Sequence, residues 1–143
     1  MWRCPEFTFN RVGHDHVVSG PLIVDGNNVM GSRPDGWWKD RAGAARRLVE
    51  QVGAWADGAG EDVVLVFDGR PPPGMPAPAR VETRYADRGG PNAADDVIAA
   101  LVADAADPAR LRVVTSDAEL ARRVREHGAE VIGSRGFRDQ LDG

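Results

Sequence analysis

Three largely apolar runs and two weaker strand-like stretches punctuate the chain, and stretches with helical spacing separate most of them. Pro21-Leu22-Ile23-Val24 is apolar throughout and stops at Asp25-Gly26; Val63-Val64-Leu65-Val66-Phe67 stops in the same way at Asp68-Gly69. Runs with no polar alternation predict strands covered on both faces, as in a parallel sheet. Leu111 to Val114, followed by Thr115-Ser116-Asp117, predicts a third strand of this kind, and Val81 to Tyr85 and Glu130 to Ile132 predict weaker ones. Ala44, Ala45, Leu48, Val49, Val52, Trp55 and Ala56 recur at helical spacing with Arg46, Arg47, Glu50 and Gln51 opposite them, and Gly58 and Gly60 close that helix. Ala94, Val97, Ile98, Leu101, Val102 and Ala105 predict a second helix that stops at Asp107-Pro108, and Ala118 to His127 a third, closed by Gly128. Five prolines between Arg70 and Pro78 exclude regular structure there. The alternation βαββαβαβ predicts an α/β fold over residues 21–143, a three-layer sandwich with a mainly parallel sheet. Residues 1–20 show no periodicity and are expected to be a separate N-terminal extension, loose or paired as an added edge strand.

Composition narrows the class. A chain of 143 residues with 42% apolar and 28% charged positions is sized and balanced for one globular domain. No apolar run approaches the ~18 residues that a membrane span needs. The first twenty residues lack the charged and apolar blocks of a secretory signal, so a soluble cytoplasmic protein is expected. Cys4 is the sole cysteine, which excludes an internal disulfide and a multi-cysteine zinc site. The net charge of −4 runs against the basic balance usual for nucleic-acid binders, although 17 of the 18 basic residues are arginine. Removing the five aspartates Asp25, Asp68, Asp95, Asp96 and Asp117 from that total leaves +1, so the acidity belongs to a set of motifs rather than to the surface.

Three of these aspartates, Asp25, Asp68 and Asp117, follow strong strands, and the crevice beyond the carboxyl ends of a parallel sheet is where ligands bind. Neighbouring strands lie ~4.8 Å apart, so residues at adjacent strand ends converge. Crowded carboxylates raise one another's pKa unless a cation neutralises them, and an oxygen-only set suits Mg²⁺ or Mn²⁺. Asp95-Asp96 at a helix start adds a fourth wall. Each motif also has a plain structural reading. Ser116-Asp117-Ala118-Glu119 fits a capping box with Ser116 as the N-cap, and Asn92-Ala93-Ala94-Asp95 a looser version of it. Asp25-Gly26 and Asp68-Gly69 fit turns, with no helix expected directly after either. The coincidence of all four motifs on one sheet edge favours a site over four separate accidents.

Val24-Asp25-Gly26-Asn27-Asn28-Val29, Val66-Phe67-Asp68-Gly69, Ala94-Asp95-Asp96-Val97-Ile98 and Val114-Thr115-Ser116-Asp117 occur in the order expected of an NYN domain of the PIN-like nucleases. The chain resembles the bacterial YacP-like branch most closely, over about residues 21–137. The resemblance implies a metal-dependent ribonuclease, an endonuclease, using Mg²⁺ or Mn²⁺ at Asp25, Asp68, Asp95 and Asp117, with Asp96 as an adjunct ligand. Asn28 matches the family's asparagine after Asp-Gly and would orient a water or a phosphate oxygen. Thr115 and Ser116 would hydrogen-bond site carboxylates or phosphate. Two positions depart from the branch: Asn92 stands where a glutamate is usual, and Asn27 where an aromatic residue is common.

The partner implied is RNA, with mRNA and ribosome-associated RNA as the candidates. Arg70, Arg84 and Arg88 between two site motifs, with Arg33 and Arg41 after the first, are placed to grip backbone phosphates, and Trp37 to stack a base. Trp37 and Trp38 read equally well as packing against the first helix, and Arg135 and Arg138 as solvated tail residues. His14-Asp15-His16 lacks a third ligand and makes a poor metal site. The alternative function is an NYN-type RNA-binding or adaptor domain with weak or no catalysis. A nuclease toxin would share the mechanism and differ only in context. A phosphatase of the haloacid dehalogenase type is disfavoured because Asn27 stands where its second aspartate belongs and Lys39 is the only lysine.

Overall fold

The computed structural model describes residues 20–33, 36–86 and 92–142. Five strands form one sheet: β1 (Leu22–Asp25), β2 (Val63–Asp68), β3 (Val81–Ala86), β4 (Arg112–Val114) and β5 (Glu130–Ile132). Their spatial order is β3-β2-β1-β4-β5, and every pair is parallel. The two runs with the strongest apolar character, β1 and β2, lie inside the sheet. The helices are α1 (Gly26–Met30), α2 (Arg41–Ala59), α3 (Ala93–Asp104), α4 (Ala118–Glu126) and α5 (Ser134–Asp142).

Side-chain alternation splits each central strand between two cores. Leu22, Val24, Val63, Leu65, Phe67 and Val114 face one layer with α1, α2 and Phe137. Ile23, Val64, Val66 and Val113 face the other, against Ile98, Val102, Leu120 and Val124 of α3 and α4. Successive strand residues point to opposite faces, so a strand with helices on both sides must be apolar at every position. The layers are those of the expected three-layer sandwich.

The step from β2 to β3 is a parallel crossover made without a helix. Residues 69–80, the proline-rich stretch, cover α2 instead. A Cβ on Gly53 of α2 would lie 2.6 Å from the Pro78 ring, so the loop and the helix touch backbone to ring. Arg46 holds the same loop by donating from Nη1 to the Pro73 carbonyl at 3.0 Å.

Two elements differ from the sequence expectation. A one-turn helix, α1, begins directly after Asp25, where a turn was expected; Asp25 is its N-cap. Gly26 is needed there for space rather than for a left-handed backbone. A Cβ at Gly26 would meet the Phe67 ring at 2.7 Å and the Val66 carbonyl at 2.9 Å. Gly69 does fit the turn reading, with φ +80° and open space around it.

The second difference is α5, which the sequence presents as a solvated tail. Phe137 is 1% exposed and meets Trp55 edge to face, with ring centroids 5.1 Å apart. Only Phe137 and Leu141 form its apolar stripe, too few for a periodic signal, so the helix is visible only once α2 is there to receive it.

Phe137→Ala should therefore destabilise the protein by about 3–4 kcal/mol in a urea titration. Arg135→Ala, two residues away and exposed on the other side of the helix, should stay within about 0.5 kcal/mol. Equal, small effects would return α5 to the status of a tail.

Candidate active site

The carboxyl ends of β1, β2 and β4 lie side by side because β1 is the central strand. Asp25 pairs in register with Val66, so Asp68 reaches two residues further out on β2; Val24 pairs with Val114, which sets Thr115 level with Asp25. Asp25, Asp68 and Thr115 share strand parity with Ile23, Val66 and Val113, so all three project toward the α3–α4 layer. The first turn of α3, with Asp95 and Asp96, arrives at the same edge.

Asp25 is the buried member, 4% exposed. Its Oδ2 accepts from the Thr115 hydroxyl at 2.9 Å, and its Oδ1 from the Asn28 backbone N–H at 3.4 Å, which caps α1. Thr115 Oγ1 in turn accepts from the Asp117 N–H at 3.1 Å. Burial pushes the Asp25 carboxyl up from 3.8 to about 6; the Thr115 bond opposes the rise, and the charges of Asp95 and Asp68 add to it. Asp95 is also raised, by burial first and then by the charges of Asp117 and Asp68, against the pull of Arg123. The four aspartates thus act on one another electrostatically across one crevice.

The caps are distributed differently from the sequence expectation. The N-cap of α4 is Asp117 rather than Ser116, its Oδ1 accepting from Leu120 N–H at 3.0 Å. Ser116 sits one residue outside, where its Oγ accepts from the Ser134 N–H at 2.9 Å. Asn92 occupies the N-cap position of α3 but makes no side-chain capping bond. The strand residue Asp68 does that work across the site, its Oδ1 accepting from Ala94 N–H at 2.9 Å. No pattern local to 92–95 can report this, because the cap comes from 26 residues upstream.

Two asparagines lock the edge. Asn27 Oδ1 accepts from the Asp68 N–H at 2.7 Å, a bond that fixes the end of β2 and that an aromatic residue could not make. Asn28 Oδ1 accepts from Ser116 N–H at 2.8 Å and from the Ser134 hydroxyl. It therefore ties α1 to the β4–α4 turn and to the start of α5. Asn27 and Ser134 were not singled out as site residues from the sequence. The Asp-Gly-Asn-Asn run is the one signal that could have marked Asn27.

The remaining candidates are scattered. Asp96, expected as an adjunct ligand, pairs with Arg123 of α4 at 3.1 Å. Arg70 is exposed just past Asp68 and Gly69, at the rim. Arg84 lies within β3, level with Val66, beside Glu82 at 2.7 Å. Arg33 pairs with Asp142 and approaches Asp139 at 3.8 Å, both on α5. Arg41 lies over the Trp37 ring at 5.1 Å. Trp37 is half-buried against the α1–α2 core, whereas its neighbour Trp38 is 52% exposed. Trp38 is thus the freer stacking face. Arg88 and His14-Asp15-His16 lie outside the described residues.

The donor set suits a hard divalent cation: every candidate ligand is a carboxylate oxygen, and Asp25 and Asp95 are pushed toward protonation by burial first and by neighbouring carboxylates second. One oxygen each of Asp68 and Asp117 is committed to a backbone N–H, which leaves the second oxygen of each for the crevice. Among the described residues no three acidic, histidine or cysteine side chains stand as a group able to hold an ion directly.

The raised Asp25 carboxyl sets a pH signature. Its folded-state pKa lies above its unfolded one, so its contribution to stability is complete below about pH 4 and is lost as pH rises through about 6. Without divalent ions, wild type should lose about 2–3 kcal/mol between pH 4 and 7.5 relative to Asp25→Asn, which keeps an acceptor for the α1 cap. Urea titrations of both proteins in EDTA at the two pH values measure the difference; parallel profiles would mean that Asp25 is ionised without cost.

The family model for the YacP-like NYN domain matches residues 22–143. No curated protein matches the chain. Among solved structures, Rae1 (YacP) from Bacillus subtilis, as its W164L mutant, is similar with a TM-score of 0.69 and 24% identity over 85% of this chain and 74% of that one. A second Rae1 (YacP) structure from Bacillus subtilis gives 0.68 and 23%, over 85% and 73%. These two likenesses concern the fold. The family model covers nearly the whole described chain, so the protein belongs to the YacP-like NYN domain family, a nuclease-like and RNA-related group.

Proposed function

We propose that this protein is a metal-dependent ribonuclease, an endonuclease that hydrolyses RNA phosphodiester bonds at the edge formed by Asp25, Asp68, Asp95 and Asp117. The observation that carries the reading is the crowding of these carboxylates, with Asp25 buried at the end of the central strand and pushed up to about 6. A protein that keeps a costly arrangement of like charges gains from it when a cation or a reaction uses it. With no three carboxylates converging directly, Mg²⁺ or Mn²⁺ would be held by one or two of them and by water, as Mg²⁺ prefers. The ion would supply Lewis-acid neutralisation of phosphate charge and a more acidic water. The chain's own residues do the rest. Thr115 and the Asn28 N–H hold the Asp25 carboxylate in one orientation. The Asn28 side-chain carbonyl is engaged by Ser116 and Ser134, so its amide N–H groups would be the donors to a phosphate oxygen. The Asp96–Arg123 pair leaves Asp96 as a neighbour to the site rather than a ligand.

The second reading, an RNA-binding domain with feeble catalysis, is favoured by the absence of a ready three-ligand group among the described residues. One experiment separates the two. A labelled single-stranded RNA is incubated with Mn²⁺, Mg²⁺ or EDTA and with wild type, Asp25→Asn and Asp117→Asn. Asparagine caps helices as well as aspartate does, so both variants should fold. Metal-dependent cutting should fall by about a hundredfold or more in each variant. Mn²⁺ should also raise the wild-type melting temperature and leave that of Asp25→Asn nearly unchanged. RNA binding without cutting would select the second reading.

A further inference from the structure

β1 stops short of its neighbour. Its last pair with β2 is Asp25 with Val66, whereas β2 runs on to Asp68, two residues beyond. On its other side β2 stays paired with β3 through Asp68 and Ala86, and the Gly69 N–H donates to the Ala86 carbonyl at 3.1 Å. Backbone amides alternate sides along a strand, so the Asp68 N–H points toward β1, where the chain has already turned into α1. The side chain of Asn27, the second residue of α1, fills that gap. Its Oδ1 accepts from the Asp68 N–H at 2.7 Å, as a peptide carbonyl of a longer β1 would. Asp68 Oδ1 in turn accepts from the Ala94 N–H at 2.9 Å and starts α3, where Asp95 is the next residue. The two bonds run in series from α1 to β2 to α3 and so join three of the four aspartate motifs. Asp68 is exposed, so its position depends on these bonds more than on packing.

We infer that Asn27 is a positioning residue for the acidic edge: its side-chain carbonyl stands in for the strand carbonyl that β1 lacks, fixes the end of β2 with Asp68, and through the Asp68–Ala94 bond sets the start of α3 that carries Asp95. The inference rests on the metal-site reading above and adds to it a residue outside the ligand set. Asn27 acts through Asp68 and needs no contact with ion or RNA. Removing a residue that orients a ligand by a hydrogen bond costs roughly ten- to a hundredfold in metal affinity.

The test measures order and ion binding rather than cleavage. Its variants are Asn27→Leu, close in shape but without an acceptor; Asn27→Asp, which keeps the acceptor; and Val52→Ala, a buried change on α2 in the opposite layer. One readout is amide hydrogen exchange by NMR in EDTA at Asp68 and Ala94, each taken relative to Leu65 within β2. The other is Mn²⁺ affinity from the EPR signal of the free ion. Asn27→Leu should speed exchange at Asp68 and Ala94 about tenfold or more against Leu65 and weaken Mn²⁺ binding roughly tenfold. Asn27→Asp should protect both amides as wild type does and bind Mn²⁺ at least as tightly. Val52→Ala should lower stability and leave the relative exchange and the Mn²⁺ affinity unchanged. Unchanged exchange at Asp68 in Asn27→Leu would overturn the inference, and so would faster exchange with Mn²⁺ affinity intact. An equal loss of Mn²⁺ affinity in Val52→Ala would overturn it as an effect of stability alone. Each of these leaves the metal-site reading standing, whereas a wild type that binds no Mn²⁺ would overturn both.

Discussion

Everything at the functional edge depends on one carboxylate removed from water at the end of the central strand. Asp25 is buried, and a buried carboxylate persists only when its oxygens are met. One oxygen is met by Thr115 of the neighbouring strand end and the other by the first turn of α1. Satisfying that single group therefore joins β1, β4 and α1 at one point. Thr115 passes the constraint to Asp117, whose own carboxylate starts α4. The chain of bonds continues through Asn28 to Ser116 and Ser134, which brings the start of α5 to the same place.

Parallel topology supplies the electrostatic counterpart. Every strand of the sheet points its carboxyl end the same way, so the helices that follow begin at that edge. The starts of α1, α3 and α4 all meet the aspartate cluster, and helix starts carry partial positive charge. These dipoles and the bonded N–H groups oppose the burial and the carboxylate repulsion that together keep Asp25 and Asp95 raised. Capping does not by itself exclude the ligation proposed for these aspartates. A carboxylate has two oxygens, and in Asp68 and Asp117 one of them accepts the helix-starting N–H.

Charge is divided over the rest of the molecule on the same principle. The edge is acidic, while the cationic groups gather beyond α1 along α2 and α5, at Arg41, Arg47 and Arg138. The net charge of −4 conceals this division, because it sums an acidic edge and arginine-bearing helices. Arginine is the cation used throughout, and its planar fork suits phosphate.

The sequence by itself determined the sheet and its site-bearing edge. Leu22–Val24, Val63–Phe67 and Val113–Val114 are apolar at every position because both faces are covered, and that pattern survives without any knowledge of partners. The aspartates were legible for the same reason: a polar residue ending such a run has nowhere to go but the sheet's rim. Tertiary structure alone decided what depends on residues far apart in the chain. Asp68 caps α3, Asn27 holds the end of β2, Phe137 turns nine residues of apparent tail into a core helix against Trp55, and Gly26 is forced by the approach of Phe67. Local patterns record which face a residue must hide, since that is a property of the element. Which distant group will meet it is set by the folding of the whole chain.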